Sequence, residues 1–248
     1  MSLETDDEGL IRLQKLLAQS GVASRRKCEE LMLDGQVEVD GEIVTRLGTK
    51  VDPTTAVIRV AGQRLPPISP HVYLVLNKPR GVVSTMSDPE GRPTLSDFVA
   101  DRPERLFHVG RLDTDTAGLI LLTNDGDFAQ RVAHPSYELD KTYVAEVDGV
   151  ITKATLRRLR DGVTLDDGPV EVSGARVVST TGDRSIVELV IHEGRNRIVR
   201  RLLDEVGHPV RRLTRTAIGP VLLRGLKKGE LRELTLDELG VLLDAASL

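Results

Sequence analysis

The sequence predicts an α+β fold in two parts: a small N-terminal unit, and a larger one with a mixed, mainly antiparallel sheet flanked by helices. Several short apolar runs follow one another through tight turns instead of alternating one for one with helices, which argues against a doubly wound α/β sheet. Pro66, Pro67 and Pro70 form a stiff, extended connection between two stretches of periodic sequence. A chain of 248 residues, 40% apolar and 29% charged, is an ordinary globular composition that can bury a sizeable core.

The elements follow in order. Residues 1–9 carry Glu4, Asp6, Asp7 and Glu8; this acidic tail is expected to be disordered and lacks the apolar segment of a signal peptide. From Leu10 a helical pattern sets Leu10, Leu13, Leu16 and Leu17 on one face, with Arg12 and Lys15 off it, and stops at Ser20-Gly21. Ser24 is a good N-cap for a second helix, Arg25 to Leu33, ending at Asp34-Gly35. Short strands at Val37–Val39 and Ile43–Val44 flank the turn Asp40-Gly41, and Val57–Val60 closes the unit. The first unit is thus expected over 10–65, the linker over 66–71 and the second unit over 72–248.

The second unit opens with a buried-strand run, Val72–Leu76, and a turn-rich loop, Ser87–Thr94. A strand at Leu106–Val109 breaks at Gly110, and a buried strand at Gly118–Thr123 ends in Asn124-Asp125-Gly126. Helices are expected at Asp127–Ala133, at Lys153–Leu159 behind the cap Thr152, and at about Asn196–Val206. Strands are expected at Lys141–Val147, Val170–Val178, Ile186–Ile191 and near Val210–Ile218. A last helix starts from the capping box Thr235-x-x-Glu238.

Asp113 falls in the connection between two core strands, where a rigid scaffold commonly positions reactive groups. A local ion pair with Arg111 would account for the same spacing. The net charge of −4 hides a strong asymmetry, because acids concentrate at the two ends. Arg12, Lys15, Arg25, Arg26 and Lys27 form one basic block without acids, and residues 193–228 hold ten bases against three acids. Clustered positive charge is the footprint of phosphate binding, although either block alone also fits a solvated helix face.

Two short helices around Ser20-Gly21-Val22-Ala23-Ser24-Arg25-Arg26, followed by Gly35-Gln36-Val37-Glu38-Val39-Asp40-Gly41, resemble the S4-type RNA-binding domain. The motifs Asn77-Lys78-Pro79, Gly110-Arg111-Leu112-Asp113-x-x-Thr116-x-Gly118-Leu119, Lys141-Thr142-Tyr143 and Glu193-Gly194-Arg195-Asn196-Arg197-x-Val199-Arg200-Arg201 resemble the ribosomal-RNA pseudouridine synthases of the RsuA/RluB family, and arrive in that family's order. Asp88–Thr94 and Gly162–Pro169 are most similar to the RluB type, acting on large-subunit rRNA; small-subunit rRNA is the alternative substrate. Ile198 stands where relatives usually carry Gln or Glu.

The resemblance implies isomerisation of a uridine to pseudouridine in ribosomal RNA after base flipping, with no cofactor and no metal. It makes Asp113 the catalytic carboxylate, Arg200 its fixed cation and Tyr143 the residue that stacks on or hydrogen-bonds the uracil. Arg12, Lys15, Arg25, Arg26, Lys27, Lys78, Arg111, Arg195, Arg197 and Arg201 become the RNA-binding bases. With three Tyr, three Phe and no Trp, stacking surfaces are scarce, which raises the weight on Tyr143.

The remaining signals exclude more than they assign. Cys28 is the only cysteine, so no disulfide framework forms within the chain, and it reads as a packed core residue. His71, His108, His134, His192 and His208 lack metal-ligand spacing. No apolar run approaches a membrane span, and a cytoplasmic protein is expected; the resemblance implies ribosomal RNA as partner, and a monomer is expected. Two rivals stay open. A non-catalytic RNA-binding or ribosome-assembly factor would not need Asp113, Tyr143 and Arg200 together. A one-carboxylate glycosidic hydrolase would release free base and would want a second acid, for which Asp115 is the nearest in sequence.

Overall fold

The computed structural model describes residues 9–137 and 139–248. Apart from Gly9, the acidic tail expected to be disordered lies outside them. The chain divides into one compact unit that runs to His71 and takes in Pro103–Arg105, and another of Val72–Arg102 and Leu106–Leu248.

The first unit runs β1 (Ile11–Arg12), α1 (Leu13–Gln19), α2 (Arg25–Leu33), β2 (Val37–Val39), β3 (Glu42–Ile43), β4 (Lys50–Val51), β5 (Ile58–Val60) and β6 (Gln63–Arg64). Leu10 stays out of the first helix because Ile11 and Arg12 pair with Val51 and Lys50, and the amide of Leu13 donates to Thr49 O at 2.8 Å. Long-range pairing has overridden a local helical pattern. Ser24 caps α2 as expected, its side chain accepting from the Lys27 amide at 3.2 Å. The strands β3-β2-β5-β6 form an antiparallel sheet, and Ile11, Leu13, Leu17, Cys28, Met32, Val37 and Ile58 are core. Cys28 is sealed from solvent, and burial pushes its thiol pKa up, as for a packing residue.

The second unit contributes β7 (Tyr73–Lys78), β8 (Phe107–Val109), β9 (Thr116–Thr123), α3 (Gly126–Ala133), β10 (Lys141–Asp148), α4 (Lys153–Arg160), β11 (Val163–Leu165), β12 (Gly168–Val170), β13 (Gly174–Thr181), β14 (Arg184–Ile191), α5 (Ile198–Glu205), β15 (Val210–Ile218), β16 (Val221–Leu222), β17 (Leu231–Glu233) and α6 (Leu236–Ala245). Its main sheet has the order β13-β14-β10-β15-β9-β7-β17, with β8 paired to β9 and β16 to β15. Only β15 and β9 run parallel, so the sheet is mixed and mainly antiparallel, as the α+β reading requires. Asp125, Thr152 and Thr235 cap their helices through side chains, the last in a full capping box with Glu238.

All eight residues of β9 are buried, because both faces of the sheet are covered. Ile120 and Leu122 join Leu74 and Leu76 on one side, against Val199, Leu202 and Leu203 of α5. Leu119 and Leu121 join Val75 on the other, against Phe128 and Val132 of α3 and Leu242 of α6. Strand alternation thus sends consecutive residues into two separate cores. Burying each large side chain contributes roughly 1.5–3 kcal/mol.

Candidate active site

The connection from β8 to β9 is pinned from several directions. Gly110 adopts φ +67°, which a side chain would resist, and its carbonyl lies 2.7 Å from His108 Nδ1. Ser84 is buried; its hydroxyl donates to Leu112 O at 2.6 Å and accepts from the Leu112 amide at 3.1 Å. The Gly81 amide donates to Thr114 O at 2.7 Å, and that of Thr116 to Asp113 O at 3.0 Å. Asp113 is held by backbone on both sides, while its carboxylate stays about one-third exposed (33%).

The cleft beside this loop measures about 950 Å³, within the roughly 300–1,000 Å³ of small-ligand sites. Asp113, Asp115, Tyr143 and Arg197 line it, together with Lys141, Arg195 and Arg215. Arg197 precedes α5 in the left-handed conformation, φ +50°, the strained backbone often found at functional sites. Its guanidinium is 3.7 Å from Asp113 Oδ2 and donates twice to Asp115, at 3.1 and 3.2 Å. Burial opposes ionisation of Asp115, yet the Arg197 hydrogen bonds and the charges of Arg200 and Arg197 outweigh it and hold its pKa below the ordinary value.

Arg200, expected as the cation beside Asp113, stands one step behind it. It donates to Asp115 O at 3.0 Å, to Thr116 Oγ1 at 3.3 Å and to Val210 O at 3.4 Å, and lies 3.3 Å from Asp115 Oδ2. The base within 4 Å of Asp113 is Arg197. A turn of helix separates these arginines, and spacing alone does not say which of them faces the loop.

Tyr143 is buried on β10, directly opposite Arg215 of β15, and its hydroxyl has no protein partner among the described residues. Arg111 is exposed at the cleft and likewise lacks a side-chain partner among the described residues. Lys78, expected on the RNA surface, is fully buried and donates to Val82 O at 2.8 Å and Pro79 O at 3.1 Å. Burial pulls its pKa down to about 8, against the upward pull of Asp113 and Asp115. An ammonium sealed inside the unit cannot grip RNA; it acts on the Asp113 loop from within.

Arg195 and Arg201 are also spoken for. Arg195 pairs with Glu193 and with Asp167 at 2.8 Å, and donates to Pro169 O. Arg201 pairs with Asp166 and, at 2.5 Å, with Asp167. Both arginines fasten the hairpin β11–β12 to the start of α5. Ile198, which stands at a usually polar family position, is 4% exposed and packs in the core. In the first unit Arg12, Arg25 and Arg26 are exposed, and Lys27 is exposed but paired with Glu30 at 2.7 Å. Lys15 is 8% exposed, because the first turn of α1 is buried all round, throughout Leu13–Leu17.

Three cleft residues were given no role by motif reasoning, although Lys141 opens the motif Lys141-Thr142-Tyr143. Ser84 carried no sequence signal. Lys141 donates to His192 O at 2.7 Å and Leu139 O at 3.0 Å, and burial lowers its pKa to about 8. Arg215 is 3% exposed; its Nε donates to Leu119 O at 2.8 Å, while Nη2 is sealed from solvent with no acceptor. A buried donor left unpaired costs about 1–3 kcal/mol. Both bases share strand parity with buried neighbours, Tyr143 and Ala145 on β10, Leu213 and Ala217 on β15. That inward parity was the available signal.

A carboxylate held on a pinned loop among several cations, in a cleft of about 950 Å³, is the arrangement of an enzyme site suited to an anionic substrate. The sequence model for RNA pseudouridylate synthases matches residues 72–205, and that for the S4 domain matches residues 11–57. An uncharacterised RNA pseudouridine synthase of Mycobacterium tuberculosis (strain H37Rv) is 52% identical over 96% of this chain and 95% of its own. A ribosomal large subunit pseudouridine synthase B of Bacillus subtilis is 48% identical over 90% of this chain and 92% of its own. A crystal structure of a pseudouridylate synthase superposes with a TM-score of 0.64 at 30% identity, covering 94% of this chain and 99% of that one. The chain belongs to the RNA pseudouridylate synthase family and is an RNA pseudouridine synthase carrying an N-terminal S4 domain.

Proposed function

We propose that this enzyme isomerises one uridine of large-subunit ribosomal RNA to pseudouridine, with Asp113 as the catalytic carboxylate. The observation that carries this is a backbone-pinned loop that holds Asp113 in the same cleft as Tyr143, 3.7 Å from Arg197. The substrate class is supported by similarity to the large-subunit enzyme of Bacillus subtilis over nearly the whole of both chains. Ribosomal RNA as substrate supports a cytoplasmic location. The working unit in this reading is a monomer.

The target uridine leaves its stack, at roughly a few kcal/mol, and its base enters against Tyr143. The C1′–N1 bond breaks, the uracil turns, and C5 bonds to C1′; the proton leaving C5 is replaced by one at N1, so the product is an isomer. Asp113 attacks the ribose or stabilises charge on it as the base departs. Arg197 fixes the Asp113 carboxylate, and Arg200 supports both through Asp115. Exposed Arg12, Arg25, Arg26 and Arg111 supply phosphate contacts, which position without reading sequence.

The test is a pseudouridine map of rRNA from cells lacking the protein, rescued with wild type or Asp113→Asn. One large-subunit pseudouridine should vanish and return only with wild type. A site in small-subunit rRNA would correct the substrate, and an unchanged map would support a binding factor. The purified enzyme should keep full activity in a chelator and release no free uracil, which separates it from a metal enzyme and from a hydrolase.

A further inference from the structure

The charges around the cleft do not balance. Asp113 and Asp115 are matched by Arg197 and Arg200. Deeper in the same cleft, Lys141 and Arg215 have no carboxylate within 4 Å among the described residues. Each is tied to the protein only through main-chain carbonyls: Lys141 through Leu139 and His192, Arg215 through Leu119. The two are close enough for the charge of Arg215 to disfavour that of Lys141. Arg215 is buried and Lys141 partly buried, and Asp140 supports the charge of Lys141 from a distance; such a pair of cations is unfavourable unless something negative comes to it.

We propose that Arg215 and Lys141 form the site that stabilises the departing uracil as an anion, through its carbonyl oxygens. This rests on the reading of Asp113 and Tyr143 given above. When the C1′–N1 bond breaks, its electron pair goes to the ring and spreads over O2 and O4. The charge returns to the new bond when C5 attacks C1′, so the donors are needed only while the base is detached. Fixed donors that meet charge where it develops act on the rate rather than on binding. The position fits: Arg215 is the direct cross-strand partner of Tyr143 on β10 and of Gly118 on β9. A base lying against Tyr143 therefore has Arg215 beside it on the same face of the sheet. Nη2 has no acceptor among the described residues and is closed to solvent here, so it meets the base when the side chain turns toward the cleft that Arg215 lines.

The test uses the full-length enzyme and an RNA fragment containing its mapped uridine. Single-turnover rates and RNA dissociation constants would be measured for wild type, Arg215→Met, Arg215→Lys, Lys141→Met and Asp113→Asn. Removing one such donor typically slows the chemical step about 10²–10³-fold, so Arg215→Met should lose about 100-fold in rate while its RNA affinity changes less than threefold. Arg215→Lys should recover part of that loss. With 5-fluorouridine at the target position the anion is stabilised by the substituent, and the defect in consuming the starting nucleoside should shrink at least fivefold. If Arg215→Met fails to fold, Lys141→Met carries the same expectation.

A folded Arg215→Met or Lys141→Met at wild-type rate overturns the proposal, as does an equal defect on both RNAs. A loss confined to affinity overturns it in favour of a phosphate contact. Full activity of Asp113→Asn would instead sink the reading beneath it. Inactive Asp113→Asn beside fully active Arg215 and Lys141 variants sinks this inference alone.

Discussion

Ser84→Ala isolates the contribution of the loop that carries Asp113. The Ser84 hydroxyl is the hydrogen-bond partner of both polar main-chain atoms of Leu112, at 2.6 and 3.1 Å, at the edge of the cleft where both residues are buried. Alanine keeps the backbone and most of the volume but leaves a buried carbonyl and a buried amide unpaired. At about 1–3 kcal/mol for each unpaired group, partly relieved by local relaxation, the loss should be about 2–4 kcal/mol. The residue next to Leu112 is Asp113, so the same change loosens the carboxylate. A misplacement of about 1 Å costs on the order of 10²-fold in rate. Urea unfolding should report the stability loss without a change in slope. Single-turnover pseudouridine formation should fall at least tenfold with RNA affinity nearly unchanged. Ser84→Cys, similar in size and a weak donor, should fall between alanine and wild type. A loss under about 0.5 kcal/mol together with a rate within twofold of wild type would refute this account, since an unpaired buried pair cannot be that inexpensive.

Three further changes probe other parts of the molecule. Gly118→Ala should abolish soluble expression or lower stability by more than about 4 kcal/mol, because its Cβ would sit 2.2 Å from Arg215 O at φ +110°; thermal unfolding of any soluble fraction checks this. Lys78 has a folded pKa of about 8 against an ordinary 10.5, so the unfolded state binds more protons between those values and stability should rise with pH across that window. Lys78→Met should flatten that rise by up to about 3 kcal/mol, measured as denaturant midpoints from pH 7 to 10.5 in both proteins. Arg25→Gln/Arg26→Gln should weaken RNA binding and reduce the salt dependence of log K by nearly one unit for each phosphate no longer neutralised, with the single-turnover rate at saturating enzyme unchanged.

The architecture was largely legible, because strand and helix signals in the second unit are strong and locally consistent. The run Gly118–Thr123 announced the central strand, Thr235 and Glu238 announced the last helix, and Val210–Ile218 matches β15 at both ends. Misses came where a distant partner decided the outcome. Leu10 left the helix because Ile11 found Val51. The start of α5 moved to Ile198 because Arg197 is held in a left-handed conformation beside Asp115. The short β17 had no periodic signature and exists because it completes the edge beside β7. Motif reading gathered Asp113, Tyr143 and the arginines before α5 into one cleft. It set Arg200 beside Asp113, where Arg197 stands, since spacing alone does not say which side of a turn each arginine leaves from.

The same limit explains how basic residues were sorted by sequence and how the fold sorts them. A cluster of lysines and arginines reads as a phosphate-binding surface because charge alone carries no information on direction. Strand parity turns Lys141 and Arg215 inward, burial encloses Lys78, and the β11–β12 hairpin occupies Arg195 and Arg201 with its own aspartates. Five bases are thereby enclosed or already paired within the protein, and in the proposed reading contacts to the RNA backbone fall to exposed residues such as Arg12, Arg25, Arg26 and Arg111. That reading assigns holding the RNA and altering the base to different cations. An exposed arginine is screened by salt and acts on affinity. A buried one, with its charge unscreened and its hydrogen bonds incomplete, is placed to act on the reaction itself.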